Sequence, residues 1–174
     1  MLGVLVLGVL PGVATAVGLS LAWLVYVESV PPDAVLGRVP GLRGYYNVKQ
    51  TPEAKTVPGV LIYQFRANIV FYNAERFKAR VIEAVAASDT PVEWVIVDAS
   101  PINYVDFTAV KTIDELRDEL RSRGAKVVVA HEGPDLLRYF ESDWVQRREK
   151  RLAGHYFPTI KAALKAFEES NEKK

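Results

Sequence analysis

The 174-residue chain contains no cysteine. Disulfides, thiolate metal sites and cysteine nucleophiles are therefore excluded, and an intracellular setting is suited. Histidine is nearly as scarce. His131 and His155 are the only two, and their separation matches no metal-ligand spacing. A formal net charge of +1 provides no overall drive toward nucleic acid. No Walker phosphate loop and no glycine-rich dinucleotide fingerprint is present, since Gly41-Leu42-Arg43-Gly44 matches neither. No serine, histidine and acid arrangement can be read, and no internal repeat. Charge itself is missing from the first 27 residues.

That last absence is informative. Leu2 to Val27 is an uncharged apolar run, long enough as a helix to cross a ~30 Å hydrocarbon core with tilt to spare. A signal peptide would need a basic n-region and a shorter apolar core. Trp23 and Tyr26 stand where an interfacial aromatic belt belongs, and Arg38, Arg43 and Lys49 beyond them predict a cytoplasmic C-terminal side. Gly8 and Gly12 form a small-xxx-small pair, and Ala14, Gly18 and Ala22 a second stripe. Such stripes suit a helix that packs against other helices.

Residues 28–57 hold four prolines and three glycines without periodicity, and read as an irregular linker between two modules. A domain of residues 58–168 follows, with a polar tail at 169–174. Val60 to Arg66 alternates as a strand, and Ile69 to Tyr72 reads as a second short strand. Asn73 is placed to cap a helix carrying Phe77, Val81, Ala84 and Val85, which Asp89-Thr90-Pro91 ends.

Trp94 to Leu116 is the centre of the chain. Trp94 to Val97 is a short β-branched run closed by Asp98, as in a buried strand. A turn with Pro101 and Asn103 leads to Asp106-Phe107-Thr108 and a helix with Val110, Ile113, Leu116 and Leu120 on one side, closing at Gly124. Lys126 to His131 is another buried strand. A helix is expected from Pro134 with Leu136, Leu137 and Phe140, and a last one after Phe157-Pro158-Thr159 with Ile160, Leu164 and Phe167. The order ββαβαβαα implies an α/β fold with a mixed, mostly parallel sheet. The corner between Asp98 and Thr108 joins a strand's carboxyl end to a helix's amino end, where ligands gather in open α/β sheets.

The strand ending in Asp98-Ala99-Ser100, the turn, Val105-Asp106-Phe107-Thr108-Ala109 and the amphipathic helix resemble a STAS domain, the fold of anti-sigma factor antagonists and of the cytoplasmic tails of SulP-type sulfate and anion transporters. The apolar helix with Ala34 to Leu42 (AVLGRVPGL) is similar to the last span and linker of the transporters, as Phe157-Pro158-Thr159 with Ala162-Ala163-Leu164 is to their terminal helix. In the antagonists the corresponding pattern is Asp-Ser-Ser-Gly, with the second serine phosphorylated. Here those positions are Asp106, Phe107, Thr108 and Ala109, and the departures at Phe107 and Ala109 favour the transporter branch. The resemblance implies a non-catalytic regulatory or assembly domain at the inner or plasma membrane, with the domain in the cytoplasm. Its implied partners are the rest of a SulP transporter, a second copy and membrane lipid. It extends to weak nucleotide binding, with no other cofactor. The alternative it leaves open is a membrane-tethered signalling protein switched by phosphorylation.

The partner or ligand surface is thus expected at Asp98, Ser100, Asp106, Phe107, Thr108 and Ala109, with Thr108 as the phosphorylation position. Asp98 and Asp106 read as a strand-end and a helix-cap carboxylate, against the alternative of an acid/base pair or metal site. The basic run Arg147, Arg148, Lys150 and Arg151 is either a solvated loop or a contact with anionic headgroups or an acidic partner.

Overall fold

The structure, a computed structural model, describes residues 8–131 and 155–172. It divides into two units, Met1–Pro31 and Pro32–Lys174. The first is built around helix α1 (Val9–Ser29), whose 21 residues extend ~31 Å. Pro11 is tolerated because it occupies the first turn, where backbone N–H groups have no intrahelical acceptor. Leu10, Leu19 and Trp23 are 81%, 68% and 67% exposed, so the apolar surface of α1 is unburied along its length. The hydroxyls of Thr15 and Ser29 donate to the carbonyls of Pro11 and Val25 at 2.8 and 2.6 Å, which satisfies them without water. This is a helix of membrane-spanning length and composition.

The second unit is a six-stranded sheet in the order β2-β1-β3-β4-β5-β6. Its strands are β1 (Asp33–Gly37), β2 (Tyr46–Asn47), β3 (Val60–Phe65), β4 (Trp94–Asp98), β5 (Lys126–Ala130) and β6 (Tyr156–Phe157). β3 to β6 run parallel, while β1 is antiparallel to both its neighbours. Helices α2 (Ala74–Ala86) and α3 (Phe107–Ser122) share one core with one face of the sheet, around Tyr63, Phe65, Phe77, Val95, Leu116 and Leu120. Helix α4 (Ile160–Asn171) covers the other face with Ile160, Ala163, Leu164 and Phe167, over Val60, Ile62, Ile96 and Val128. Alternation along β3 sorts Leu61, Tyr63 and Phe65 from Val60 and Ile62 as expected.

The stretch expected to be an irregular linker, 28–57, supplies β1 and β2 instead. Its prolines flank the strand rather than interrupt it. Pro31 and Pro32 precede β1 and Pro40 follows it, so every donor β1 needs is retained. Ala34 and Leu36 are buried in the α4-side core, and β1 covers the edge that β3 would otherwise expose. Gly37 is required by close approach, because a Cβ there would lie 2.8 Å from the Lys55 carbonyl oxygen.

Ile69 to Tyr72 is not a strand of the sheet. Ile69 makes one isolated parallel bridge, to Val105. The Val70 N–H donates to Asn73 Oδ1 at 2.9 Å and the Phe71 N–H to Asp106 Oδ2 at 2.7 Å, so side chains take the donors that a ladder would need. Asn73 occupies the N-cap position of α2, yet its oxygen turns back to Val70 and gives no cap bond. At the far end of α3, Gly124 adopts φ 82°. The Ala125 and Gly124 N–H groups reach Leu120 O at 2.8 Å and Arg121 O at 3.0 Å, a Schellman closure. Strand β6 was not foreseen, and α4 continues to Asn171, into the stretch read as a tail. The helix expected from Pro134 and the basic run 147–151 lie outside the described residues.

Candidate functional site

Two loops leave the carboxyl ends of β3 and β4 and are fastened to one another. Asn68 in the first loop accepts from the N–H groups of Asn103 and Tyr104 in the second, at 2.9 and 3.0 Å. Ile69 donates to Tyr104 O and accepts from the Asp106 N–H, both at 3.2 Å. Asp106 completes the fastening. Its Oδ1 accepts from the Ala109 N–H at 2.7 Å, capping α3, while Oδ2 takes the Phe71 N–H. Both oxygens of this carboxylate serve backbone donors.

Asp98 is 4% exposed at the end of β4. Its Oδ2 accepts from Gln64 Nε2 at 2.7 Å, and its Oδ1 accepts from the Ser100 N–H at 3.1 Å and faces His131 Nδ1 at 3.0 Å. Arg66 Nε in turn donates to Gln64 Oε1 at 2.8 Å. One carboxylate thereby joins the ends of three parallel strands, since Gln64 lies opposite it on β3 and His131 follows β5. His131 holds φ 60°, a left-handed conformation that histidine adopts more readily than most residues.

The two aspartates are engaged separately and share no partner among the described residues. All four carboxylate oxygens accept hydrogen bonds, and among the described residues no three His, Cys, Asp or Glu side chains converge on a metal position. Of the expected surface, Ser100, Phe107 and Thr108 are exposed, Asp106 is half-buried, and Asp98 and Ala109 are buried. Thr108 lies in the first turn of α3, and its carbonyl accepts from the Thr112 hydroxyl. The cap is Asp106, leaving Thr108 free of that duty.

Sequence reasoning missed Gln64, Asn68, Arg66 and the aromatic character of the corner. Phe71, Tyr72, Tyr104 and Phe107 are 67%, 41%, 49% and 66% exposed, with the Phe71 and Tyr72 rings edge to face at 5.2 Å. An asparagine in each of two turns was the available signal for the clamp. A cavity of about 60 Å³ under α3 is lined mainly by apolar side chains including Phe77, Ile102 and Val110, too small for a nucleotide. A groove of about 370 Å³ beside α2 is lined by Asp33, Lys49, Arg80 and Glu83, but Arg80 is already paired with both acids.

The family model of the STAS domain matches residues 51–163. The Probable sulfate transporter of Mycobacterium tuberculosis strain H37Rv is 37% identical over 164 residues, covering 94% of this chain and 29% of its own. The chain therefore spans less than a third of that relative. The murine Slc26a9 anion transporter in the inward-facing state superposes with a TM-score of 0.72 at 24% identity, over 88% of this chain and 25% of that one. A putative anti-sigma factor antagonist from Thermotoga maritima superposes with a TM-score of 0.52 at 17% identity, over 64% and 90%. These structures share the fold. With most of its length matched and the same mixed sheet built from its own residues, the chain belongs to the STAS domain family, homologous to sulfate transporters of the SulP type.

Proposed function

We propose that the chain is the regulatory and assembly portion of a SulP-type sulfate or other anion transporter, a last membrane span followed by its cytoplasmic STAS domain. The observation that carries this reading is joint similarity. The match to the mycobacterial sulfate transporter covers 94% of the chain, too large a share to omit α1, and α1 has the length and exposed apolar surface of a span. The partners are the remaining membrane helices, a second copy and lipid, at the inner or plasma membrane. The chain is not a catalyst and does not transport alone. The engagement of both oxygens of Asp98 and of Asp106 supports the first statement. Nucleotide phosphates at the start of α3 would meet the Asp106 carboxylate, so binding there is weak.

The test is reconstitution. The chain in vesicles should give no sulfate uptake above empty vesicles. Joined to the membrane helices of a sulfate transporter deprived of its own domain, it should restore uptake. Failure to restore, together with capture of a serine or threonine kinase that phosphorylates Thr108, would replace this reading with a membrane-tethered signalling protein.

A further inference from the structure

We propose that Arg38 and Lys55, with the hydroxyl of Tyr45, form a binding site for a tetrahedral oxyanion of the sulfate or phosphate class. The site lies within the unit Pro32–Lys174. The inference goes beyond the transporter reading and does not rest on it.

The first observation is the backbone that sets the two cations side by side. Just past β1, Arg38 and Lys55 form an isolated antiparallel bridge. The Arg38 N–H donates to Lys55 O at 2.8 Å, and the Lys55 N–H to Arg38 O at 2.9 Å. Residues paired in this way stand ~5.5 Å apart at Cα and send their side chains to one face. The close approach of Gly37 to the Lys55 carbonyl belongs to the same contact, so the spacing is built into the fold.

The second is charge. Like charges directly opposite one another destabilise a pair of strands. Arg38 and Lys55 are both exposed, and among the described residues neither side chain makes an ion pair or a hydrogen bond. Glu53, two residues before Lys55, leaves them unpaired, and so does Glu168 on α4. The bridge therefore carries a repulsion that a bound anion would relieve.

The third is a neutral donor at the same place. Ala34 and Leu36 face the α4-side core, against which Tyr45 packs, and strand alternation carries Arg38 to that side. Burial raises the pKa of the Tyr45 hydroxyl above its ordinary value, against the lowering charge of Arg38, and Glu168 raises it further. The hydroxyl thus keeps its proton, and it makes no hydrogen bond among the described residues.

These groups select the ligand class. A guanidinium grips two oxygens of one anion, and an ammonium and a hydroxyl donate to others. A carboxylate has too few oxygens and a single charge. Sulfate, hydrogen phosphate or a phosphomonoester headgroup has both the oxygens and the second charge.

The test uses the full chain in neutral detergent, with radiolabelled sulfate in equilibrium dialysis and ionic strength held constant with sodium chloride. The parent chain should bind sulfate saturably. Arg38→Gln and Lys55→Gln should each weaken binding about tenfold, the loss of one charge-assisted contact. Lys55→Arg should retain binding, as should Lys111→Gln, at an exposed lysine on α3. Melts in chloride alone should place both glutamine variants at or above the parent, since each removes a like-charge contact. Sulfate should then raise the melting temperature of the parent and not theirs. Absence of saturable binding by the parent chain overturns the proposal. Equal binding by the parent and both glutamine variants also overturns it. Competition distinguishes the sources of the anion. Stronger displacement by glycerol phosphate than by inorganic phosphate supports the site as one for a lipid headgroup, and the reverse order supports it as one for the free ion.

Discussion

The hydroxyl of Tyr63, on β3, donates to Asp33 Oδ2, on β1, at 2.9 Å, and the same oxygen receives Arg80 Nη2 from α2 at 3.0 Å. Tyr63 is fully buried. Burial, and then the bond to Asp33, hold its proton far above the ordinary value of 10.0. The sign follows. Above pH 10.0 the unfolded chain releases this proton and the folded chain keeps it, so stability is complete below that pH and declines as pH rises beyond it. Tyr63→Phe should make the alkaline decline shallower, at a cost near neutrality of ~1 kcal/mol. The check is a series of urea melts from pH 7 to 11 on both proteins. An unchanged alkaline limb would remove Tyr63 as its cause.

The position of β1 bears on where the domain begins. A chain starting at Pro32 should melt cooperatively. One starting at Pro58 lacks β1, leaves β3 as a bare edge, and deprives Tyr63 and Arg80 of Asp33. Aggregation or loss of the thermal transition by circular dichroism is expected for the shorter chain alone. Two equally stable fragments would mean that β1 is dispensable.

Asp106 combines a helix cap with a loop tie. Asp106→Ala should cost ~2 kcal/mol, a cap of ~1 and a hydrogen bond of ~1. Asp106→Asn keeps one acceptor and should lose roughly half as much. Urea midpoints at constant slope measure both. A neutral Asp106→Ala would show that the two loops hold without it.

Thr108 is exposed and is not the cap. Thr108→Ala and Thr108→Glu should therefore each stay within ~0.5 kcal/mol of the parent protein. A phosphate there would add about −1.5 to −2 charges, against a helix-dipole gain of only ~0.3–1 kcal/mol. Its effect falls on docking rather than on the fold. Uptake by the reconstituted transporter should differ between the Glu and Ala variants. Identical uptake would leave Thr108 as an ordinary surface residue.

The central strand and helix, the Gly124 closure, the Thr159 start of α4 and the apolar run of α1 were all legible in the sequence. Each is set by local periodicity, capping chemistry or length, and needs no knowledge of a distant partner. What only the tertiary structure decided is where distant segments meet. β1 was hidden because it is five residues long among prolines, and it becomes a strand by covering β3. Ile69 to Tyr72 has the composition of a strand, but Asn73 and Asp106 take its donors. Asp98 was readable as a strand end. Its partners Gln64 and His131 stand 34 and 33 positions away, and are neighbours only because parallel pairing brings the ends of three strands into register. Hydrogen bonds between loops depend on that register, and register is a property of the assembled sheet.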